Sequence, residues 1–149
     1  MSKHLVFERS VVINRPVEEV AAYLADAERA VEWRADVLES TATPPGPVKP
    51  GTQVREVVRV LGRSVPSETI VDGVTPAGFR YRHVRGPLPI SGEYACTAVP
   101  GGTLVTATRH LTLTGRWMTF AAYLRRSGDR MLAVSLATLR FRLEPRTVD

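Results

Sequence analysis

A chain of 149 residues, 44% of them hydrophobic, is long enough to bury roughly two-thirds of its unfolded surface in one core, so a single domain over 1–149 is expected. No apolar run approaches the ~18 residues that would cross a membrane as a helix. The net charge of +5 comes almost wholly from arginines spread along the chain, with Lys only at positions 3 and 49 and no cation run longer than Arg125-Arg126, which argues against a nucleic-acid partner.

Residues 4–13 alternate, with Leu5, Phe7, Val11 and Ile13 on one face and His4, Glu8 and Ser10 on the other, and this predicts a strand. Asn14-Arg15-Pro16 then starts a helix over 16–25. Proline fits the first turn, where its missing N–H is harmless, and Glu18 and Glu19 suit the positive end of the helix dipole. Val17, Val20, Ala21 and Leu24 make its apolar stripe, and Asp26 restarts a second short helix that ends at Trp33. From there the period is two, with strands predicted at 36–42, 52–61, 64–74, 78–85, 92–99 and 103–113. The separators are turn sequences: TPPGPVKPG at 43–51, Gly62-Arg63, TPAG at 75–78, GPLP at 86–89 and PGG at 100–102. Connections this short demand antiparallel neighbours. Residues 116–142 return to helical spacing and place Trp117, Phe120, Leu124, Met131 and Ser135 on one face; Ser127-Gly128-Asp129 predicts a kink or a division there.

The order is strand, two short helices, six strands, one long helix. A seven-stranded antiparallel sheet and one helix bury each other's apolar faces if the sheet curls around the helix, an α+β arrangement whose open end the two short helices would plug. A strongly curved sheet gripping a single helix rarely fills the space between them, so a cavity is expected.

Ile13, Pro16, Val20, Leu24, Trp33, the PGT at 50–52, the GR at 62–63 and the YACTAVPGGTLVTATRHL at 94–111 together resemble the START-like, Bet v 1-type superfamily, also called SRPBCC. The branch this chain looks most like is the polyketide cyclase/dehydrase and lipid-transport group. The resemblance covers nearly the whole chain and implies a helix-grip fold. It says less about activity, because the superfamily includes carriers, hormone receptors and cyclases. The aromatase/cyclase members are thought to use a cavity Arg on the strand after the GR turn and a Tyr shortly after the second-helix Trp. Ungapped alignment puts Val71 and Ser40 at those two positions, and neither can orient a poly-ketone or move a proton.

The alternation also places polar residues among apolar ones on the inward faces. Glu56 shares a face with Val54, Val58 and Val60; Arg109 with Val105, Ala107, Leu111 and Leu113; His83 with Phe79 and Tyr81; Arg9 with Leu5 and Phe7. A buried charge must pair with another, with a ligand or with water. Glu56, His83 and Arg109 are therefore the candidates to orient the polar end of a hydrophobic ligand, and the excess of Arg over Glu in this set favours an anionic end. The same three are the catalytic candidates, with His83 and Glu56 as general base. The competing reading has them snorkelling to water from strand ends. Trp33, Tyr81 and Tyr94 are candidate cavity walls, with Trp117 and Met131 contributed by the helix. RGPLPISG at 85–92 carries Leu88 and Ile90 where solvent is expected, as a lid or as a packed hairpin tip.

Three His and one Cys, at 4, 83, 110 and 96, show no metal-ligand spacing, and no P-loop or dinucleotide motif is present, so no metal or cofactor is expected. The single Cys96 reads as a small core residue in a reducing compartment, and together with an N-terminus lacking an apolar signal region it points to the cytoplasm. The resulting expectation is a binder of a hydrophobic small molecule: a lipid, polyketide or aromatic metabolite. The alternatives are a cyclase/dehydratase-type lyase or isomerase, and a partner-binding protein with a vestigial cavity. A monomer or a homodimer formed through an edge strand near 36–42 is compatible with the sequence.

Overall fold

The alternating residues near the N-terminus form β1 (Ser2–Ile13), with Leu5, Phe7 and Ile13 buried. The computed structural model describes residues 1–144 of the chain. After β1 come α1 (Val17–Ala25), a 3₁₀ turn at Ala27–Arg29, and a one-turn α2 (Ala30–Trp33). Six strands follow: β2 (Val37–Thr43), β3 (Gln53–Val60), β4 (Arg63–Thr75), β5 (Gly78–Arg85), β6 (Ile90–Val99) and β7 (Gly102–Thr114). A 3₁₀ segment, Gly115–Phe120, leads into α3 (Ala121–Leu143). The strands make one antiparallel sheet in the order β1-β7-β6-β5-β4-β3-β2, so β2 is an edge, and sheet and helix together form a helix-grip fold.

The core lies where β1, β6 and β7 meet α3. Along β7 every second residue from Thr103 to Leu113 is buried, and Leu132, Leu136 and Leu139 of α3 pack into the same cluster. α3 lies chiefly against β1 and α2. That off-centre seat leaves the inner faces of β3, β4 and β5 to the short helices after β1, whose Ala25, Ala27 and Ala30 pack over Val54, Val58 and Val71.

Two features of the C-terminal region differ from the sequence-based expectation. α3 runs through Ser127-Gly128-Asp129 without a break. Gly128 serves close packing here: a Cβ at this position would sit 2.9 Å from two carbons of the Phe7 ring, so the glycine lets strand and helix approach. Asp129 accepts from Arg9 at 2.6 Å, which also explains why Arg9, inward by parity, is exposed. Residues 115–120 coil as a 3₁₀ segment before α3 begins. Trp117 therefore falls off the helix face assigned to it and packs at the edge of the main cluster against Phe120.

The long connection at 44–52 folds back onto the sheet. Val48 is buried and its N–H donates to the Ala25 carbonyl, while Thr52 and Gly51 exchange backbone hydrogen bonds with Val71. Leu88, in the β5–β6 turn, is also buried in the main cluster and does not face solvent.

Candidate functional site

Two cavities lie on the inner side of the sheet, one beneath the short helices and one beside α3. The inner one, about 90 Å³, is lined by Trp33, Glu56, Thr69, Val71, Tyr81 and Tyr94 among others. The outer one, about 220 Å³, is bounded by Phe7, Leu88, Leu111, Tyr123, Leu124 and Met131 among others. Asp36, Val60, Ile90 and Arg109 line both, so they form the wall between the two. A groove of about 370 Å³ also runs over β2–β4, but its lining residues come mostly from the outward face. Glu68 there is already paired, lying 3.6 Å from Arg55 and 3.9 Å from Arg85.

The dividing wall is built from the short link between α2 and β2. Ser135 of α3 accepts a hydrogen bond from the Ala35 N–H at 2.9 Å, and the Arg59 N–H donates to the Asp36 carbonyl at 2.8 Å. Helix and sheet thus hold Arg34 and Asp36 from both sides. Arg34 donates to Glu56 at 2.7 Å and to Asp36 at 3.2 Å. Ser40 donates to the Ala27 carbonyl at 2.7 Å and lies 3.5 Å from Glu56. Burial alone would weaken the hold of Arg34 on its proton, but Asp36 and Glu56 outweigh it and raise its pKa well above the ordinary value. Burial likewise pushes Asp36 up, and Arg34 and then Arg109 pull it further down, leaving the carboxyl below its usual range.

Arg109 is different. It is 8% exposed, and its Nε and one Nη have no hydrogen-bond partner among the described residues. Nε of Arg34, one oxygen of Asp36 and the Tyr94 hydroxyl are buried without a partner among those residues as well. Burial opposes the Arg109 charge, but Tyr94 and Asp36 counter it and hold its pKa above the usual value. Gly92 gives the site its depth. It faces Tyr81 on β5 and Arg109 on β7, and a Cβ there would lie 2.7 Å from the Tyr81 hydroxyl and overlap the Thr108 carbonyl. Burial, with Tyr94 adding, pushes the Tyr81 hydroxyl well above its ordinary value, so it stays a donor at neutral pH. Around these groups Trp33 meets Tyr94 edge-on at 5.7 Å, and Phe79 and Tyr81 pack on Tyr94 at 5.3 and 6.0 Å.

Of the residues singled out from sequence, Trp33, Glu56, Tyr81, Tyr94 and Arg109 line the inner cavity, and Met131 lines the outer one. His83 and Trp117 line neither. His83 stays in register opposite Thr69 of β4, but β5 pairs with β6 only from Gly78 to Tyr81, so His83 lies past the end of that pairing. Its Nδ1 is buried without a partner among the described residues, and it makes no hydrogen bond to Glu56. Arg34 and Asp36 were missed. They lie between helix and strand, where no periodicity assigns a face; the available signal was an Arg-x-Asp triplet set between Trp33 and Val37. With them included, the charged cluster at the wall sets Arg34 and Arg109 against Asp36 and Glu56, and the expected cationic excess disappears.

Residues 4–144 match the family model described as polyketide cyclase / dehydrase and lipid transport. The chain belongs to this family. No curated protein matches the sequence. Among solved structures, the di-domain ARO/CYC StfQ from the steffimycin biosynthetic pathway aligns with a TM-score of 0.77 at 15% identity, over 94% of this chain and 50% of that one. The chain thus spans about half the length of that di-domain protein. A START superfamily protein from Mycobacterium smegmatis aligns at a TM-score of 0.74 and 14% identity, covering 95% of this chain and 97% of the other. A protein from Thermus thermophilus aligns at a TM-score of 0.77 and 18% identity, with 95% of this chain and 97% of that one covered. Likeness at these identities is a likeness of fold. The two positions aligned with the aromatase/cyclase Arg and Tyr are filled by Val71, buried in the inner wall, and by Ser40, engaged as described above.

Proposed function

We propose that this family member binds a hydrophobic small molecule across the two cavities, with Arg109 gripping a polar, hydrogen-bond-accepting end. The observation that carries this is the buried Arg109 guanidinium, which has unmet donors where two largely apolar cavities meet. A buried cation satisfied by protein alone would have its donors filled, as Arg34 largely does. Arg109 and Tyr94, which both line the inner cavity, instead keep buried donors without a partner among the described residues. The balance of two cations against two anions favours a carbonyl, enol or phenol at that end over a full negative charge. Size narrows the class further. The two cavities together only just reach the lower end of the ~300–1,000 Å³ usual for small-molecule sites. A short-chain lipid, a small polyketide or an aromatic metabolite of one or two rings fits that space. The lone buried Cys96 suits a cytoplasmic setting for this binder.

The cyclase/dehydratase reading requires a base beside the ligand. Glu56 is held by Arg34 and Ser40, and His83 lies outside both cavities, so this arrangement favours carriage over turnover. Thermal-shift measurement against saturated fatty acids, the matching alcohols and one- and two-ring phenols tests the proposal. Saturation at a hundredfold over Kd should stabilise the protein by about 2.7 kcal/mol. At least one class should shift the wild type and leave Arg109→Met unshifted. A shift of equal size in both proteins, or none in either, would refute it.

A further inference from the structure

The rim of the outer cavity is both apolar and basic, and neither property follows from holding a ligand inside. Its exposed lining residues are Arg59, Leu61, Gly62 and Tyr123, so the cavity opens between the β3–β4 turn and the first turns of α3. Leu61 is 38% exposed and Tyr123 56%; Phe120, one turn before Tyr123, is 42% exposed. Leu61 is also out of place by local chemistry. It and Gly62 are the two central residues of a two-residue hairpin, both with positive φ, +51° for Leu61. Asn or Asp ordinarily takes the first of those positions, and a leucine there costs about 1–2 kcal/mol. The turn holds one apolar side chain out at its tip.

Arginines neighbour these side chains along the chain. Arg59 and Arg63 flank the turn, Arg125 and Arg126 follow Tyr123, and Arg116 precedes Phe120, whereas residues 59–65 and 115–128 contain no Asp or Glu. All five arginines are exposed, and none forms an ion pair among the described residues. Elsewhere on the surface arginines are commonly paired, as in Arg9–Asp129 and Arg140–Glu144.

We propose that this rim docks on an anionic lipid bilayer, with Leu61, Phe120 and Tyr123 entering the headgroup–acyl boundary and the five arginines meeting lipid phosphates. Single apolar side chains projecting beside guanidiniums suit a bilayer interface, where apolar burial and attraction to anionic headgroups add. An acidic protein would match the charge but not the projecting leucine tip. Docked this way, the outer cavity faces the membrane, and an apolar molecule passes between bilayer and protein without crossing water.

Co-sedimentation of the whole chain with vesicles tests this, using phosphatidylcholine alone and phosphatidylcholine mixed with phosphatidylglycerol. Binding should require phosphatidylglycerol and should weaken steeply as salt shortens the screening length to ~3 Å near 1 M. Each arginine neutralised should weaken it about five-fold, so Arg125→Gln with Arg126→Gln should weaken it on the order of 25-fold. Leu61→Ser should weaken it about ten-fold through lost apolar burial, while relieving no charge. Arg109→Met, which alters only the interior, should bind vesicles as the wild type does, so failure of docking and failure of the ligand reading are separable. Equal binding to both vesicle types, or a double glutamine variant that binds like wild type, would overturn the proposal. So would polyglutamate binding that depends on Arg125 and Arg126 while vesicles are ignored, because the surface would then serve an acidic protein.

Discussion

The two halves of the sheet are built from the same alternating pattern and end in opposite conditions. On the β1–β7 side, inward residues meet α3 and the side chains of Leu5, Ile13, Leu113, Leu132 and Leu139 are essentially inaccessible to solvent. On the β3–β5 side the inward positions include Glu56, Thr69 and Tyr81, and they border cavities. The cause is the seat of α3 over β1 and α2. An alternation pattern specifies which way a side chain points; whether a partner waits there is decided by where the helix lands. The polar groups on the hollow side then divide again. Arg34 is held by two carboxylates, and Arg109 keeps donors open.

The largest effect should come from Arg34→Met. It leaves Asp36 and Glu56 close together in a buried setting without the cation between them. Chemical denaturation should show a loss of about 3–5 kcal/mol. A loss below ~1 kcal/mol would mean the cluster is far more hydrated than its burial suggests. On the packed side, Leu132→Ala should cost about 2–5 kcal/mol, since its neighbours are too tightly fixed to collapse into the gap. Arg109→Met should cost under ~1.5 kcal/mol, because it removes donors the protein does not satisfy, while abolishing ligand-induced thermal shifts. A large stability loss with ligand binding retained would move Arg109 to the structural group beside Arg34.

A subtler test uses pH. Asp36 has a folded-state pKa below its ordinary value, so its ion pairing adds stability above the unfolded pKa of about 3.9. That contribution is lost as pH falls through the folded value. Asp36→Asn should therefore show a flatter decline in stability below about pH 4 than the wild type, measured by denaturant midpoints across pH. An unchanged slope would place the acid sensitivity in other carboxylates. The smallest effect concerns Cys96. Burial pushes its thiol up to about 11, so it is protonated at neutral pH and should react with thiol reagents only as fast as the protein opens.

The fold was legible because each strand carries its own period and each turn its own Gly or Pro, so order and direction followed from local chemistry. The inward positions of Glu56, Tyr81, Tyr94 and Arg109 were legible for the same reason. His83 keeps its parity opposite Thr69 but lies past the end of the β5–β6 pairing, a tertiary event that leaves no mark on alternation. Trp117 was misplaced because a 3₁₀ segment turns its side chains through a different angle from an α-helix. Arg34 and Asp36 were overlooked in a link too short to have a period. Gly128 read as a breaker because a close approach to Phe7 cannot be seen until strand and helix are brought together.

Native mass spectrometry of wild type and Arg109→Met, both purified from the protein's own host, goes most directly to the role of Arg109. The wild type should carry a small-molecule adduct that the variant lacks, with melting temperatures of the two apo proteins close together. The same adduct retained at equal occupancy by Arg109→Met would contradict the assignment of that guanidinium to a ligand.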